Sequence, residues 1–370
     1  MNEDGITYLK LQRQHIIEPV SVHDYDEFFK LMSPVQTLFW IEPGSPPEMQ
    51  YRCAFDDAAT NDYYRRERKI LKGRFQGGNV GYVFYEDFPI YMAAFRKEIK
   101  FYTENEEIVL NILKREGPME IDLIKEISGL LSKEISKALQ RLQKAFMVYE
   151  DQVDKGRDRA FYIIEDEFYD MDFDKYSRED GIDHVVTQFI YQNVWVDAKM
   201  IKSFTKFTNK DIDFCIERLL ERKVITRYQK DNMDPVDENP EGLNAMDSYV
   251  LVQDRITIQS VMNDIAGGVV SIPKKILVLD LNDYLVKSNE LYLKERFSSS
   301  EYKTLHYIYA DKEIIGRVLG YFRFGPNDLE DVEIDIECDY DKQRIIEAVE
   351  LVYEGQETKL KRFNGELLPD

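Results

Sequence analysis

The sequence has few of the residues that build metal sites and disulfide frameworks. Its 370 residues include three cysteines, Cys53, Cys215 and Cys338, and four histidines, all far apart in the chain. These spacings match no zinc or redox motif, so we expect no metal site and no other cofactor. We interpret the cysteines as small buried apolar side chains in a reducing cytoplasm.

Long apolar runs are also lacking. No run approaches the roughly 20 residues that span a membrane, and the opening MNEDGITYLK does not have the basic-then-apolar order of a secretory signal. Apolar residues make up 44% of the chain and charged residues 32%, which is typical of a globular protein. We therefore expect a cytoplasmic protein without membrane contact.

Positive charge is in deficit, with 49 Lys and Arg against 70 Asp and Glu, a net charge of −21. This balance argues against a protein that coats nucleic acid, because phosphate neutralisation supplies most non-specific affinity. The acid is concentrated, however: residues 328–341 hold eight acidic residues and no basic one, and residues 231–247 hold six and none. Residues 61–74 have the opposite balance, six basic against two acidic. Such a polarised molecule can bind DNA with one face and repel it with the others.

The sequence does contain an internal repeat. Residues 124–148 and 201–225 share one pattern of apolar and charged residues at an offset of 77 residues, without a gap. Each copy predicts a helix, a short helix, a longer helix and a β-hairpin, which is the element order of a winged helix. The second and third helices form the helix-turn-helix pair, which most often contacts nucleic acid.

The first copy carries a basic face and a basic wing. Its third helix is predicted from the N-cap Ser132 to about Ala145, with an apolar stripe at helical spacing. A helix-turn-helix places such a helix in the major groove and such a wing along the backbone. The DNA-contact candidates of this module are Lys133, Lys137, Lys144, Lys155, Arg157 and Arg159. A solvated outer face and a protein docking surface are the alternatives.

The second copy, from about Gly181 to Asp254, mixes charges of both signs on its third helix, which is predicted to begin at the N-cap Asn209. Its wing, residues 231–247, is long and acidic. We expect this copy to support the fold or to contact a protein rather than phosphate.

The N-terminal hundred residues predict a third, diverged module. HDYDEFFKLM is helical, residues 57–71 form a second long helix, and GRFQGGNVGYVF forms a hairpin around Gly77-Gly78-Asn79. The long helix carries a basic run that we interpret as a set of phosphate contacts. Its members are Arg65, Arg66, Arg68, Lys69 and Lys72. The alternative is a helix face paired with this chain's own surplus acid.

The C-terminal part predicts a sheet. Strands are expected in KKILVLDL, DYLVKSNELYL, TLHYIYADKEIIGRVLGYFRF and EDVEIDIEC, closed by the helix DKQRIIEAVELVYEG, with a linker at residues 254–273. The predicted fold class is α+β, with tandem winged helix-turn-helix modules followed by a mostly antiparallel β domain. The predicted domains are 1–103, 104–170, 171–258 and 259–370.

Several stretches together resemble the YcaQ/AlkZ-type DNA glycosylases, which are built from tandem winged helices and a C-terminal β domain. These stretches are LQRQHIIEP, LMSPVQTLFW, KGRFQGGNVGYVFYEDFP, LVLDLNDYLV and KEIIGRVLGYF. The resemblance covers most of the chain and depends on order and spacing more than on identical residues.

The resemblance implies removal of alkylated bases from DNA, with polar side chains that position water and stabilise charge on the sugar. The family's catalytic triplet, Q-x-Q or Q-x-D, falls on Gln36-Thr37-Leu38, which makes Gln36 the candidate catalytic residue. Leu38 replaces the second polar group, and Gly81 replaces the family's hairpin histidine. The expected function is therefore DNA binding, to a damaged or distorted duplex, with glycosylase activity altered or lost.

The alternative function is that of a non-enzymatic transcriptional regulator or a protein-interaction scaffold. The acidic second wing and the acidic C-terminal segment motivate it, because acidic surfaces suit a protein partner better than phosphate.

Overall fold

The computed structural model describes residues 2–42, 44–152, 159–228, 247–297, 300–322, 328–335, 341–356 and 358–369. The helices are α1 Asn2–Arg13, α2 Tyr25–Met32, α3 Asp57–Arg66, α4 Phe88–Phe95, α5 Glu104–Glu116, α6 Ile121–Ser128, α7 Ser132–Lys144, α8 Ile164–Glu167, α9 Arg178–Asn193, α10 Ala198–Thr205, α11 Asn209–Glu221, α12 Asp254–Ala266, α13 Tyr284–Arg296 and α14 Lys342–Val352. The strands are β1 Ile70–Phe75, β2 Asn79–Phe84, β3 Val148–Asp151, β4 Ala160–Ile163, β5 Val196–Asp197, β6 Ile225–Arg227, β7 Ser248–Leu251, β8 Ile276–Asp280, β9 Lys303–Ala310, β10 Glu313–Tyr321, β11 Asp328–Ile334, β12 Arg362–Phe363 and β13 Glu366–Leu367.

The internal repeat reappears as a repeat of elements. Helices α6 and α7 map onto α10 and α11 at the offset of 77 residues with the same first and last positions, and β3 maps onto β6. In each copy the third helix buries its predicted stripe, for example Ile135 and Leu139 in α7 and Ile212 and Ile216 in α11. The helix starts differ by one position from the prediction, since Leu131 and Thr208 precede α7 and α11 as N-caps.

The N-terminal part contains the predicted hairpin. Strands β1 and β2 pair antiparallel, with Gly73 opposite Gly81, and Gly77 and Gly78 adopt positive φ at the tip. The predicted helix 57–71 is wrong over its last five residues, because α3 ends at Arg66 and residue 70 already starts β1. Tertiary pairing of the strand overrides the helical pattern, so the basic run is divided between a helix, a turn and a strand.

The predicted linker at 254–273 is also wrong in its first half, which forms α12. This helix packs along α1, and Gly5 makes room for it, since a Cβ at Gly5 would lie 2.7 Å from Cγ of Met262. Buried Ile6 and Leu9 of α1 share a small apolar cluster with Ile258 of α12. The first helix is thus held by residues about 250 positions later in the chain.

The C-terminal sheet has the strand order β13-β12-β11-β10-β9-β8 and is antiparallel except for the β11–β12 pair. The turn between β9 and β10 falls at Asp311-Lys312. The predicted strand DYLVKSNELYL is wrong, because it forms helix α13. That helix packs against α10 on one side, where the Tyr284 ring lies tilted against the Phe204 ring, and against the sheet on the other.

The α+β class, with helical modules followed by a mostly antiparallel sheet, is confirmed. One buried cluster joins α2, the β1–β2 hairpin, α4, α9, α10 and α11, while α5, α6, α7, β3 and β4 enclose a cluster of their own. The domain boundaries stay a prediction; the one at 258 falls inside α12.

Candidate functional site

Gln36 lies at the end of a short extended segment that adds to the N-terminal hairpin. The backbone N–H of Val35 donates to the carbonyl oxygen of Tyr82 (2.9 Å), and the N–H of Tyr82 donates back to the carbonyl of Val35 (2.8 Å). This pairing directs the buried Gln36 side chain toward the hairpin tip, where its Nε2 donates to Oε1 of Gln76 (2.5 Å). The candidate catalytic amide is therefore fixed by a second amide that the sequence analysis did not select.

The loop after Gln36 is tied to the C-terminal part of the chain. The carboxylate of Asp280, at the end of β8, accepts the backbone N–H of Phe39 at 2.9 and 3.1 Å. Nδ2 of Asn282 donates to the carbonyl oxygen of Thr37 (2.8 Å). Residues 241 and 245 positions away in sequence thus hold both ends of the segment Thr37–Phe39.

Gln36 and Leu38 line one side of a narrow cleft of about 30 Å³, which has room for one or two water molecules. Glu48, Gln50 and Lys287 line it as well. One buried polar atom of its lining, Oε1 of Gln50, has no hydrogen-bond partner among the described residues. The cleft is therefore polar at its walls although the family's second motif position is occupied by Leu38.

A buried ion pair forms the floor of the cleft. The Arg52 side chain, which is 1% exposed, donates to both carboxylate oxygens of Asp283 at 2.6 and 3.1 Å. Nη2 of Arg52, one of the two nitrogens that donate to Asp283, also donates to Oε1 of Gln14 (3.4 Å), so residues of three distant segments meet at one guanidinium. A two-point Arg–carboxylate contact of this kind is rigid and fixes the relative position of the segments that carry it.

Two charged side chains of the cleft have altered proton affinities. Burial, together with the negative charges of Asp57, Asp56 and Asp280, raises the pKa of Glu48 to about 7. Burial lowers the pKa of Lys287. Neither side chain forms a hydrogen bond or an ion pair with a described residue. An acid and an amine that line one cleft without pairing are available to a bound molecule.

The predicted basic run is neutralised within the chain. Lys72 is nearly buried, and burial lowers its pKa. The pairs are Arg65–Asp62, Arg66–Asp62, Arg68–Asp151, Arg68–Glu167, Lys69–Asp26 and Lys72–Glu150. An incoming phosphate has to compete with a carboxylate at each position, as the alternative interpretation of this run expects. A phosphate contact by these five side chains stays a prediction.

The predicted face of α7 is open. Lys133 and Lys137 are exposed, and neither side chain has a partner among the described residues. Lys144 follows on the same face and lies against the hairpin tip. Arg159 is partly exposed and lies 3.7 Å from Glu150, whereas Lys155 and Arg157 lie outside the described residues. The acidic wing of the second copy, residues 231–246, also lies outside them.

A basic cleft surrounds the tip of the hairpin. Its lining contains six basic residues and one acidic residue, Asp211. The basic residues are Arg74, Arg96, Lys97, Lys144, Arg178 and Lys206. Arg178 pairs with Asp211 and Lys206 pairs with Glu290, whereas the side chains of Arg96, Lys97 and Lys144 have no partner among the described residues. In a chain of charge −21 this cleft brings together three cations that have no partner among the described residues.

Only Lys144 of this cleft was selected from the sequence. The other cations come from the ends of α4 and α10 and from β1 and α9, and no local pattern connects them. The sequence signal for this cleft was the pair Gly77-Gly78, which marks the hairpin tip around which the cations lie.

Two further observations complete the site. A Cβ on Gly81 would lie 3.0 Å from Cβ of Pro34, so a side chain at the position of the family's histidine needs a shift of the segment that carries Gln36. Among the described residues no group of His, Cys, Asp and Glu is arranged to hold a metal ion, and no described helix has the length and apolarity of a membrane span.

Comparisons with known proteins find similarity in structure but not in sequence. No family model matches the sequence, and no curated protein is similar to it in sequence. Among solved structures, the Streptomyces sahachiroi DNA glycosylase AlkZ superposes with a TM-score of 0.63, covering 97% of this chain and 98% of that chain at 10% sequence identity. Similarity over nearly both full lengths at this identity is a similarity of fold. The chain therefore has an AlkZ-like fold, as its resemblance to the YcaQ/AlkZ-type DNA glycosylases predicts.

Proposed function

We propose that the chain is a DNA-binding protein that holds a damaged or distorted duplex in the basic cleft and hydrolyses the N-glycosidic bond of an alkylated base, with an altered catalytic site. The observation that carries the proposal is the unpaired cation cluster at the hairpin tip. Phosphate neutralisation is the main source of affinity for DNA, and here the cations gather where the fold also places Gln36.

Three consecutive residues of the hairpin tip lie next to either Gln36 or a lysine of the basic cleft. Gln76 accepts the hydrogen bond of Gln36, a Cβ on Gly77 would lie 3.2 Å from Cγ of Lys206, and Gly78 lies under Lys144. A phosphate backbone bound by Lys97 and Lys144, which have no partner among the described residues, therefore passes next to the segment that orients the candidate catalytic amide. The exposed face of α7, with Lys133 and Lys137, extends this surface away from the tip.

Gln36 is assigned the role of orienting water or the sugar. Its Oε1 is left to accept a hydrogen bond, because Gln76 occupies the amide nitrogen. Polar groups held in this way stabilise charge that develops on the sugar more effectively than mobile ones.

The competing function is a protein-interaction scaffold. The internal neutralisation of the basic run favours it, as do the acidic residues of β11. A scaffold binds duplex DNA weakly at low salt and does not distinguish a damaged duplex from an intact one.

Fluorescence anisotropy of a short duplex, intact or with an abasic-site analogue, tests the proposal at about 50 and about 200 mM salt. We expect binding that weakens steeply with salt and favours the abasic duplex. Lys97→Glu and Lys144→Glu should each weaken binding at least tenfold, because a cation next to phosphate becomes an anion.

The matched control is Lys303→Glu, which makes the same charge change at an exposed position of β9. It should weaken binding only by the small effect of net charge. Equal losses for Lys97→Glu and Lys303→Glu, or no binding by the unchanged chain at low salt, contradict the proposal.

A further inference from the structure

The cleft beside Gln36 contains a carboxylate that no motif predicts. Leu38 leaves the family's second polar position without a group that orients water. Glu48 comes from the loop before α3 and lines the same cleft as Gln36 and Leu38. Its carboxylate is half-buried and has no hydrogen-bond or ion-pair partner among the described residues.

Three other carboxylates act electrostatically on Glu48. Asp56 and Asp57 lie at the start of α3, and Asp280 lies at the end of β8. Asp57 is occupied, since its carboxylate accepts the backbone N–H of Met49 (2.7 Å), and Asp280 is occupied by Phe39 and Asn282. Of these acids, Glu48 alone lines the cleft with Gln36.

The cations of the cleft leave Glu48 available. Arg52 is engaged by both oxygens of Asp283, and Lys287 has no partner among the described residues. A carboxylate that neither of these cations engages is free to accept a proton from a molecule in the cleft.

The size and the polar atoms of the cleft suit water. A volume of about 30 Å³ accommodates one or two water molecules, and a buried water needs two to four polar partners. Oε1 of Gln50, which has no described partner, and Oε1 of Gln36 are acceptors on side chains that line the same cleft as Glu48.

We propose that Glu48 is the catalytic base of this chain, which takes the proton of the attacking water in place of a group at position 38. The inference rests on the proposed function, and it names the residue that replaces the missing half of the motif.

The step balances without any further reactant. The C1′–N bond of a positively charged alkylated base breaks, and its electron pair leaves with the base, which departs neutral. The water oxygen forms the new bond to C1′, and one water proton passes to the carboxylate of Glu48. Gln36 orients the water, and the protonated Glu48 later returns its proton to solvent.

Single-turnover release of bases from a duplex alkylated with methyl methanesulfonate tests the assignment. We expect Glu48→Gln to slow release at least 100-fold, the lower range for loss of a general base, about 10² to 10⁴. Duplex binding by anisotropy should stay within twofold, because Glu48 lies outside the basic cleft. The variant should fold, since the carboxylate it replaces has no described partner, and a thermal melt checks this.

A matched control and the pH profile distinguish a catalytic role of Glu48 from a structural one. Glu42→Gln changes an exposed acid in the same loop and should leave release unchanged. In the unchanged chain, release should rise as pH passes through about 7, where Glu48 loses its proton, and the residual rate of Glu48→Gln should lack this rise.

Each outcome decides between the two proposals. Release by Glu48→Gln at the rate of the unchanged chain overturns the role of Glu48. DNA binding without any base release by the unchanged chain also overturns it but leaves the binding function intact. Failure of the unchanged chain to bind DNA overturns the proposed function itself, and the role of Glu48 with it.

Discussion

Lys144, at the end of α7, lies directly over Gly78 at the tip of the N-terminal hairpin: a Cβ built on Gly78 would lie 2.9 Å from Nζ of Lys144. The contact joins the first repeat copy to the module that carries Gln36. It depends on the absence of a side chain at position 78 and on the positive φ of +101° there.

Gly78→Ala should therefore displace the Lys144 side chain and strain the tip. We expect a loss of about 1–3 kcal/mol in the free energy of unfolding, the range for unfavourable backbone conformations, and weaker duplex binding. Urea denaturation and anisotropy measure the two effects. Gly129→Ala is the control, since Gly129 also has positive φ but nothing within 4 Å of its Cβ position. Unchanged DNA binding in Gly78→Ala would remove Lys144 from the proposed surface.

The Arg52–Asp283 pair should be a main determinant of stability. Asp283→Ala leaves a nearly fully buried guanidinium without its carboxylate, and breaking such a pair costs about 3–5 kcal/mol. Urea denaturation measures the loss, and Asp213→Ala, an exposed acid on α11, should change stability by less than about 0.5 kcal/mol. A similar small change for both variants would show that the pair does not hold the segments together.

Loss of the hydrogen bond from Asn282 to Thr37 should affect base release more than DNA binding. Asn282→Ala frees one end of the segment Thr37–Phe39, so the geometry next to Gln36 loosens and base release should fall about 10- to 100-fold. Asn289→Ala removes a hydrogen bond of similar length (2.9 Å), to the carbonyl oxygen of Leu285 within α13, and should leave release unchanged. Equal effects of the two variants would contradict a positioning role for Asn282.

The stability of the chain should depend on pH through Asp280. Burial raises the pKa of this carboxyl from 3.8 to about 6. Its protonated form is favoured in the folded state, so this stabilising contribution is full below pH 4 and is lost as pH rises through about 6. Asp280→Asn cannot titrate, and the unchanged chain should lose stability relative to it between pH 4.5 and pH 7.5. Urea denaturation at both values checks this, and a constant difference in stability would refute the assignment.

The sequence predicts well those elements whose pattern is local. The stripes of α7 and α11 repeat at helical spacing, and the two glycines at 77 and 78 mark a turn, so the repeat and the hairpin follow from residues close in sequence. Helix α13 was mistaken for a strand because it is buried on two sides. Tyr284 faces α10 and Leu285 faces the sheet, so no single apolar stripe appears.

The candidate site was predicted only in part for a related reason. Gln36 is found by a motif. The role of Glu48 depends on Gln36, more than 10 positions away, and the role of Asn282 depends on Thr37, more than 240 positions away. The basic run at 65–72 stands out in composition, yet its carboxylate partners come from elsewhere in the chain, as in the Lys72–Glu150 pair. The sequence shows where charged residues occur, whereas the ion pairs of the folded chain determine which of them remain available to a ligand.

Hydrogen–deuterium exchange of the chain with and without an abasic-analogue duplex tests the central claim most directly. We predict slower exchange on DNA binding at the hairpin tip, residues 76–79, at residues 96 and 97, and along the exposed face of α7, with no change in the acidic strand β11. Protection confined to the C-terminal sheet, or none at a duplex concentration that saturates the anisotropy signal, would contradict DNA binding at the basic cleft.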